Sequence, residues 1–476
     1  MTKRKTAPTL GENKMGTMPV GRLLVNMATP MIIAMLVQAL YNIVDSYFVS
    51  QITTCPGHEG TDPEAIRESA IAAMSLAFAV QNVLIGFATG IGVGVNALLS
   101  KSLGEGDQER ADRTAGNGVI LALIATVVFM IFGIVGSRPY FSAMSDVELT
   151  VEFGTQYISI CCLLSLGIFI EVLGERLLQS SGRTMFTMVT QGTGAIINII
   201  LDPCLIFGLG PFPEMGIAGA ALATVIGQWV AAILAVIFNL KYNPDVRFSR
   251  QCFKLKKDTV LPILTVGIPS IIMTSIGSVM NIGINWILKG FTHLYGEVPI
   301  NVFGIYFKLQ SFFFMPLFGL NNATISIVAY NYGARKPQRI VKTLKIVCIS
   351  ALVFMLVGLA LFQLAPDLLL SIFDTSEAFL TLGRSALRTI SLCFPFAAVC
   401  IALGASFQAL GNGIYSTIVS LCRQLLVLLP AAYLLSLTGE VNTVWWSFPI
   451  AELMSLAATT FFFIRIYRQK IAPMFQ

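Results

Sequence analysis

The sequence has little charge. Asp, Glu, Lys and Arg make up 12% of its 476 residues, whereas hydrophobic residues make up 55%; a soluble domain carries roughly 25% charged residues. Only α-helices and closed β-barrels can span a bilayer, and the long apolar runs of this chain have helical length. The composition therefore predicts an all-α polytopic membrane protein.

Motifs for several functions are missing. The sequence contains no P-loop, no strand-linked nucleotide fingerprint and no catalytic triad, which argues against an ATP-driven pump and against an enzyme. Its nine cysteines lie mostly in apolar runs without metal-binding CxxC spacing, and both histidines, His58 and His293, fall in predicted outer loops. We therefore expect no metal centre and no cofactor. Residues 1–20 are polar and basic, which predicts no cleaved signal peptide.

Twelve segments are long and apolar enough to cross a bilayer, which needs about 20 apolar residues per helix. The first six lie near 21–51, 67–100, 115–137, 152–180, 184–208 and 216–240. The second six lie near 259–289, 299–331, 341–363, 379–408, 413–436 and 442–467. Alternate connections place 24 Lys and Arg residues on one side and five on the other. The positive-inside rule therefore predicts a multi-pass protein of the cell membrane with both termini cytoplasmic.

An internal repeat divides the chain. Ser100–Arg110 aligns with Ala329–Arg339 at an offset of 229 residues. Because each half starts on the cytoplasmic side, we predict two parallel six-helix pseudo-repeats, an arrangement that suits an alternating-access transporter. The predicted division is an N-lobe over residues 1–240, a cytoplasmic linker over 241–257 and a C-lobe over 258–476.

Two carboxylates stand at membrane depth, Asp45 in the first segment and Asp202 in the fifth. Each lies about six residues before the outer end of its segment, which places both roughly 9 Å below the outer boundary at 1.5 Å per residue. An intramembrane carboxylate marks an ion or substrate path by default. Other polar residues share helical faces in these segments and in the sixth: Gln38, Tyr41 and Asn42; Gln191 and Asn198; Thr224 and Gln228.

The two carboxylates have two possible chemical roles. Loss of water disfavours the charged form of a carboxylate and a second carboxylate nearby disfavours it further, so the pair could hold a proton near neutral pH. Alternatively, Asp45 and Asp202, with side-chain oxygens of Asn198 and Thr224, could bind an alkali cation such as Na+. The second half carries no carboxylate at the corresponding repeat positions, so the predicted ion site is confined to the first half.

Other intramembrane polar residues are weaker candidates. Asn281 is the second-half counterpart of the first-segment asparagine, and Lys308 lies near the outer end of segment eight, where its side chain can snorkel. Arg423 and Glu452 are expected to pair as a structural bridge. Glu171 lies in the inner half of segment four.

Five stretches jointly resemble the MATE (multidrug and toxic compound extrusion) family, and within it the MepA-like bacterial branch. They are Tyr41–Asp45, Asn198–Pro203, Gly216–Thr224, Tyr330–Ala334 and Gln408–Asn412. The resemblance implies the twelve-helix fold of that family. It also implies export of lipophilic or cationic drugs and toxic compounds in exchange for H+ or Na+.

The resemblance also implies roles for individual residues. The cation-coupling site of the family is similar to Asp45, Asn198, Asp202 and Thr224, each matched by residue type and local motif. The candidates for the substrate cavity are Gln38, Tyr41, Asn42, Gln191, Gln228, Asn281 and Lys308. One departure stands out: segment seven, over 260–289, contains no Asp or Glu, unlike relatives that use a carboxylate there.

Two other functions compete with drug antiport. A lipid-linked oligosaccharide flippase of the same superfamily would need a strongly cationic cavity, but only Lys308 and Arg423 are intramembrane cations. A non-transporting scaffold or receptor would have no reason to keep two buried carboxylates at one depth. The expected partners are the lipid bilayer and small organic cations. We expect a monomer that binds no nucleic acid.

Overall fold

The computed structural model describes residues 13–56, 60–371, 373 and 376–475. Every regular element within these ranges is helical. The predicted loop residue His58 and residues 1–12 of the predicted N-lobe lie outside the described residues.

Ten helices in the described chain are long and apolar enough to cross a membrane. Two further pairs of helices, bent by 49° and 44°, raise that number to 12 if each pair is one span. The first six spans are α1 (Val20–Val49), α2 (Pro63–Glu105), α3 (Gln108–Met144), α4 (Glu148–Leu163 with Leu166–Ser180), α5 (Thr184–Ile206) and α6 (Gly216–Tyr242). The second six are α7 (Lys257–Lys289), α8 (Val298–Gly333), α9 (Pro337–Leu364), α10 (Glu377–Ser391 with Phe394–Ala409), α11 (Gly413–Ser436) and α12 (Val441–Phe475).

Two helices begin at a polar capping residue that precedes their apolar segment. The Asp62 side chain accepts a hydrogen bond from the backbone N–H of Glu64, and Pro63 occupies the first turn of α2. The Asp107 side chain accepts from the backbone N–H of Arg110 at 2.9 Å at the start of α3. Such caps satisfy N–H groups that the first helical turn leaves free. For this reason α3 begins at Gln108, seven residues before the predicted apolar segment.

The bends of α4 and α10 occupy corresponding places in the two halves. In α4 the break follows Leu163, and in α10 it follows Ser391, 228 residues later. That separation agrees with the 229-residue offset of the sequence repeat. Helix α11 also contains a π-helical turn, Cys422–Leu428, a feature that is frequent at functional sites.

The buried side chains of α1 belong to two different clusters. One cluster of buried side chains runs from Val49 at the outer end of α1 through α2 to α6. The inner part of α1 contributes Leu23, Met27 and Met31 to another cluster, whose remaining members lie mainly in the second half. Helix α1 therefore packs against both halves, while the division of the chain into lobes stays a prediction.

The two halves meet at the ends of the helices that are predicted to face the cytoplasm. A methyl group on Gly94 of α2 would collide with the backbone carbonyl of Ile263 in α7. Asn96, fully buried, accepts hydrogen bonds through Oδ1 from Ser180 of α4 at 2.8 Å and from Ser326 of α8 at 3.0 Å. Helices α2, α4, α7 and α8 are thus closely packed at this end of the bundle.

Candidate cation site in the first half

Helices α5 and α6 bring three of the predicted coupling residues together. Asn198 and Asp202 lie one turn apart on α5, and Thr224 of α6 faces them; all three side chains are buried. The Nδ2 group of Asn198 donates to Oδ1 of Asp202 at 3.2 Å and to Oγ1 of Thr224 at 3.4 Å. A single amide therefore joins the two helices at this site.

Asp45 on α1 completes the group. It is 8% exposed, and it is close enough to Asp202 for the two carboxylate charges to interact. Among the residues that the structure describes, three buried acceptor oxygens of this group have no hydrogen-bond partner: Asp45 Oδ1, Asn198 Oδ1 and Asp202 Oδ2. Each such atom costs roughly 1–3 kcal/mol of desolvation. A small cation ligated by all three atoms would remove that cost, whereas a proton on either carboxylate would remove its buried negative charge and supply one donor.

Two further polar residues extend the network beyond the predicted set. Tyr157 of α4 is fully buried, and its hydroxyl accepts a hydrogen bond from Nε2 of Gln81 on α2 at 2.9 Å. Tyr157 also interacts with Thr224 and with the charge of Asp45. Sequence reasoning missed both residues. The available signal was Gln81, a glutamine inside an apolar segment. A buried tyrosine hydroxyl usually needs a hydrogen-bond partner, and such a glutamine can provide it.

The predicted cavity residues fall into different environments. Tyr41 interacts electrostatically with Asp45, Asp202 and Glu171, and Gln191 has a buried side-chain oxygen that lacks a partner in the described chain. Gln38, Gln228 and Asn281 are half-buried, whereas Asn42 and Lys308 are exposed. Over the described ranges, no hydrogen bond joins Asn281 or Lys308 to the carboxylates.

Helix α4 carries a second buried group of charged residues toward the predicted cytoplasmic side. Glu175 is 3% exposed, and its Oε1 accepts a hydrogen bond from Thr190 of α5 at 2.9 Å. Its neighbour Arg176 donates to Gln179 at 2.8 Å. The Glu171 and Glu175 carboxylates are also close enough to interact. These residues lie between the Asp45–Asp202 pair and the inner end of the helix.

The predicted pair in the second half is confirmed. Arg423 lies in the π-helical turn of α11, and its Nη1 is 2.8 Å from Oε1 of Glu452 on α12. Oε2 of Glu452 is buried and has no hydrogen-bond partner in the part of the chain that the structure describes. The structural role expected for this pair stays a prediction.

The fold and the site together define a polytopic membrane protein of the transporter class. The family model MatE matches residues 30–204 and 268–434, which lie in the two halves of the chain. The chain belongs to the MatE family. This is a family of transporters, in agreement with the expectation that the chain is not an enzyme.

Individual relatives agree with this assignment. The FAD transporter of Shewanella oneidensis is 26% identical over 440 residues, with 92% of each chain covered. The multidrug export protein MepA of Staphylococcus aureus is 26% identical over 459 residues, covering 92% of this chain and 93% of MepA. A solved outward-facing multidrug resistance MATE transporter of the MOP superfamily has a TM-score of 0.86 and 24% identity over 99% of this chain and 100% of its own. The predicted fold class is therefore confirmed.

Proposed function

We propose that the chain is a secondary active antiporter that exports lipophilic organic cations in exchange for H+ or Na+. The observation that carries the proposal is the group of three partnerless, buried acceptor oxygens on Asp45, Asn198 and Asp202, found within the described chain. An uncompensated carboxylate inside a membrane protein is costly, so the site favours a state in which a positive ion is bound. No cofactor is needed beyond the coupling ion.

The exchange follows from this charge balance. In the outward-facing state, Asp45 and Asp202 take up H+ or Na+ from outside, and the site loses its negative charge. Helix α1, which carries Asp45 and packs against both halves, then bends or repacks and releases the cationic drug. The transporter returns to the inward-facing state with the ion bound. Each ligand shifts the equilibrium only by its difference in affinity between the two states.

The orientation and the working unit belong to the same proposal. We place both termini in the cytoplasm of a cell membrane and divide the chain into lobes 1–240 and 258–476, joined by the linker 241–257. The close packing of Gly94 against Ile263 then closes the cytoplasmic side, as in an outward-facing state. One chain supplies every residue of the group, which supports a monomer as the working unit.

The chemical class of the cargo is the next part of the proposal. The curated relatives include both a multidrug exporter and an FAD transporter. An organic cation is favoured here because the described first half concentrates buried carboxylates at Asp45, Asp202 and Glu175. A flippase is disfavoured because the charge of Arg423 is already neutralised by Glu452 at 2.8 Å.

The experiment is efflux from proteoliposomes under a pH gradient and a Na+ gradient, imposed separately. Ethidium and FAD serve as the two test cargoes. We expect one of the gradients to accelerate ethidium efflux at least tenfold over no gradient, and neither to accelerate FAD efflux. Efflux of FAD alone would reject organic cations as the cargo. Efflux that responds to neither gradient would reject antiport.

A further inference from the structure

A short segment before α1 lies between the two halves at their predicted cytoplasmic ends. It comprises residues Asn13–Met18 and includes the single helical turn Lys14–Thr17. Met15 in this turn is completely buried. The buried side chain of Met15 thus anchors the segment in the protein.

Hydrogen bonds tie the segment to the second half. Arg339 of α9 donates through Nη2 to the carbonyls of Met15 at 2.9 Å and Met18 at 2.7 Å. Asn331 of α8 donates to the Met15 carbonyl at 3.1 Å, and its own Oδ1 accepts from Nε of Arg339 at 3.0 Å. The guanidinium thus bridges the segment and α8. Hydrogen bonds from a charged donor are about twice as strong as neutral ones.

A second cation strengthens the same attachment. Lys336 donates through Nζ to the carbonyl of Gly16 at 3.0 Å. Gly16 packs so closely on the ring of Tyr330 in α8 that a methyl group there would lie 3.0 Å from a ring carbon. Two charged donors and a close ring contact therefore hold the segment on α8 and α9.

The attachment to the turn between α4 and α5 of the first half is weaker. Nδ2 of Asn13 donates to the carbonyl of Ser181, in the turn between α4 and α5, at 3.3 Å. Lys14 packs near Gly182 in the same turn. Burial and the nearby guanidinium of Arg183 lower the pKa of the Lys14 ammonium. The Lys14 ammonium donates instead to Oδ1 of Asn26 on α1 at 2.7 Å, and Arg183 pairs with Asp245 at 3.2 Å. The contact with the turn therefore rests on one neutral hydrogen bond and is easier to break than the contact with α8 and α9.

We propose that residues 13–18 form a cytoplasmic latch, which closes the gap between the two halves and moves with the second half when that end opens. The latch rests on the alternating-access function proposed above. Opening separates the Ser181 turn from Arg339, so the segment has to release one of them. The charged, four-bond attachment to the second half survives, and the Asn13–Ser181 contact breaks.

The first test measures how the latch affects closure. Spin labels are introduced as noncanonical amino acids at the exposed positions Met185 on α5 and Gln338 on α9, and the full-length protein is placed in nanodiscs. Arg339→Met removes the bridging guanidinium, while Lys342→Met removes an exposed cation one turn further along α9. Molecules whose two labels are far apart have an open cytoplasmic end. We expect this open population to increase about fivefold in Arg339→Met and to stay unchanged in Lys342→Met. Equal populations in both variants would overturn the latch.

The second test asks which half carries the segment. Asn13→Ala removes the bond to Ser181 and the cap that Oδ1 of Asn13 provides to the Met15 N–H at 3.0 Å. It leaves the four bonds to the second half in place, so the open population should increase here too. A third label at the exposed position Thr17 then reports the movement. In that open population, the Thr17–Gln338 distance should stay short while the Thr17–Met185 distance increases. The reverse result, or no increase in the open population, would overturn the proposal.

These distance measurements require neither a substrate nor an ion gradient. A wild-type protein that fails to export any cargo would reject the proposed antiport while leaving the latch intact. Conversely, normal gradient-driven efflux with unchanged distances in both latch variants would reject the latch alone.

Discussion

Asn198 donates its amide to Oδ1 of Asp202 at 3.2 Å. The amide oxygen of Asn198 and the second carboxylate oxygen of Asp202 are then left without partners in the described chain. Asp45 Oδ1, on a different helix, also has no hydrogen-bond partner there. A bound ion that satisfied all three atoms would connect α1 to α5. Binding at this point therefore links the charge of the site to the position of α1.

The Asn198 amide should hold the Asp202 carboxylate in place for the ion. Asn198→Ala removes a hydrogen bond to a group that can be charged, which is worth roughly 1.5–3 kcal/mol. If the coupling ion is Na+, the concentration that gives half-maximal efflux should increase at least tenfold. If it is H+, the carboxylate loses a donor that stabilises its charged form, so the half-maximal H+ concentration should decrease by a similar factor. Asn301→Ala, at an exposed position near the outer end of α8, is the control. An unchanged ion dependence in Asn198→Ala would remove Asn198 from the site.

The Tyr157 hydroxyl should matter although the sequence did not single it out. Tyr157→Phe keeps the ring but removes the acceptor of the Gln81 bond and the group that faces Thr224. We expect efflux to decrease three- to tenfold, since about 1 kcal/mol is typical of one hydrogen bond. The matched control is Tyr433→Phe, on an exposed tyrosine of α11. Equal efflux rates in the two variants would make Tyr157 a packing residue only.

The Arg423–Glu452 pair should behave as a largely buried structural ion pair, with side chains 24% and 10% exposed. Arg423→Met alone leaves Glu452 unpaired and should lower the free energy of unfolding by about 3–5 kcal/mol. The double variant Arg423→Met/Glu452→Met removes both charges and should recover most of that loss. The stability of both variants relative to the wild-type protein is measured by thermal unfolding in detergent.

An exposed ion pair provides the reference for that comparison. Arg138 and Glu148 lie 3.0 Å apart, with both side chains more than 70% exposed. Arg138→Met should change the free energy of unfolding by less than about 1 kcal/mol. A double variant at Arg423 and Glu452 that stays as unstable as the single one would indicate a role beyond charge pairing.

The Gly94 contact should control closure of the predicted cytoplasmic end. Gly94→Ala places a methyl group against the Ile263 carbonyl, so α2 and α7 must separate. We expect the open population, measured by the distance between labels at Met185 and Gln338, to increase at least fivefold. Gly304→Ala has nothing within 4 Å of the added methyl group and serves as the control. A closed population in Gly94→Ala as large as in Gly304→Ala would contradict this view of the interface.

The sequence predicted much of the fold because membrane helices obey strong local rules. The apolar length of the segments and the distribution of Lys and Arg were enough to predict the spans, since apolar segments of this length cross a bilayer as helices. Helix ends were less accurate: α3 begins at Gln108 because Asp107 caps it outside the apolar run. The packing of Met27 and Met31 with the second half could not be predicted, because it depends on the tertiary arrangement.

The site was predictable where the cost of burial marks a residue. Asp45 and Asp202 stand out because a membrane-depth carboxylate needs a reason, and the helical period brings Asn198 to the face of Asp202. Tyr157 was not found because a tyrosine in an apolar segment is common and its partner Gln81 lies on another helix. Contacts between helices that are distant in sequence leave no spacing signal in a single chain.

The most direct measurement of the central claim is gradient-driven ethidium efflux by Asp202→Asn in proteoliposomes. Its matched control is Asp146→Asn, which makes the same change at an exposed position before α4. Both variants are reconstituted at equal levels after their thermal stability has been compared. We expect Asp202→Asn to lose more than nine tenths of the efflux and Asp146→Asn to retain the wild-type rate. A wild-type rate in a folded Asp202→Asn protein would contradict the claim that this carboxylate couples the ion to export.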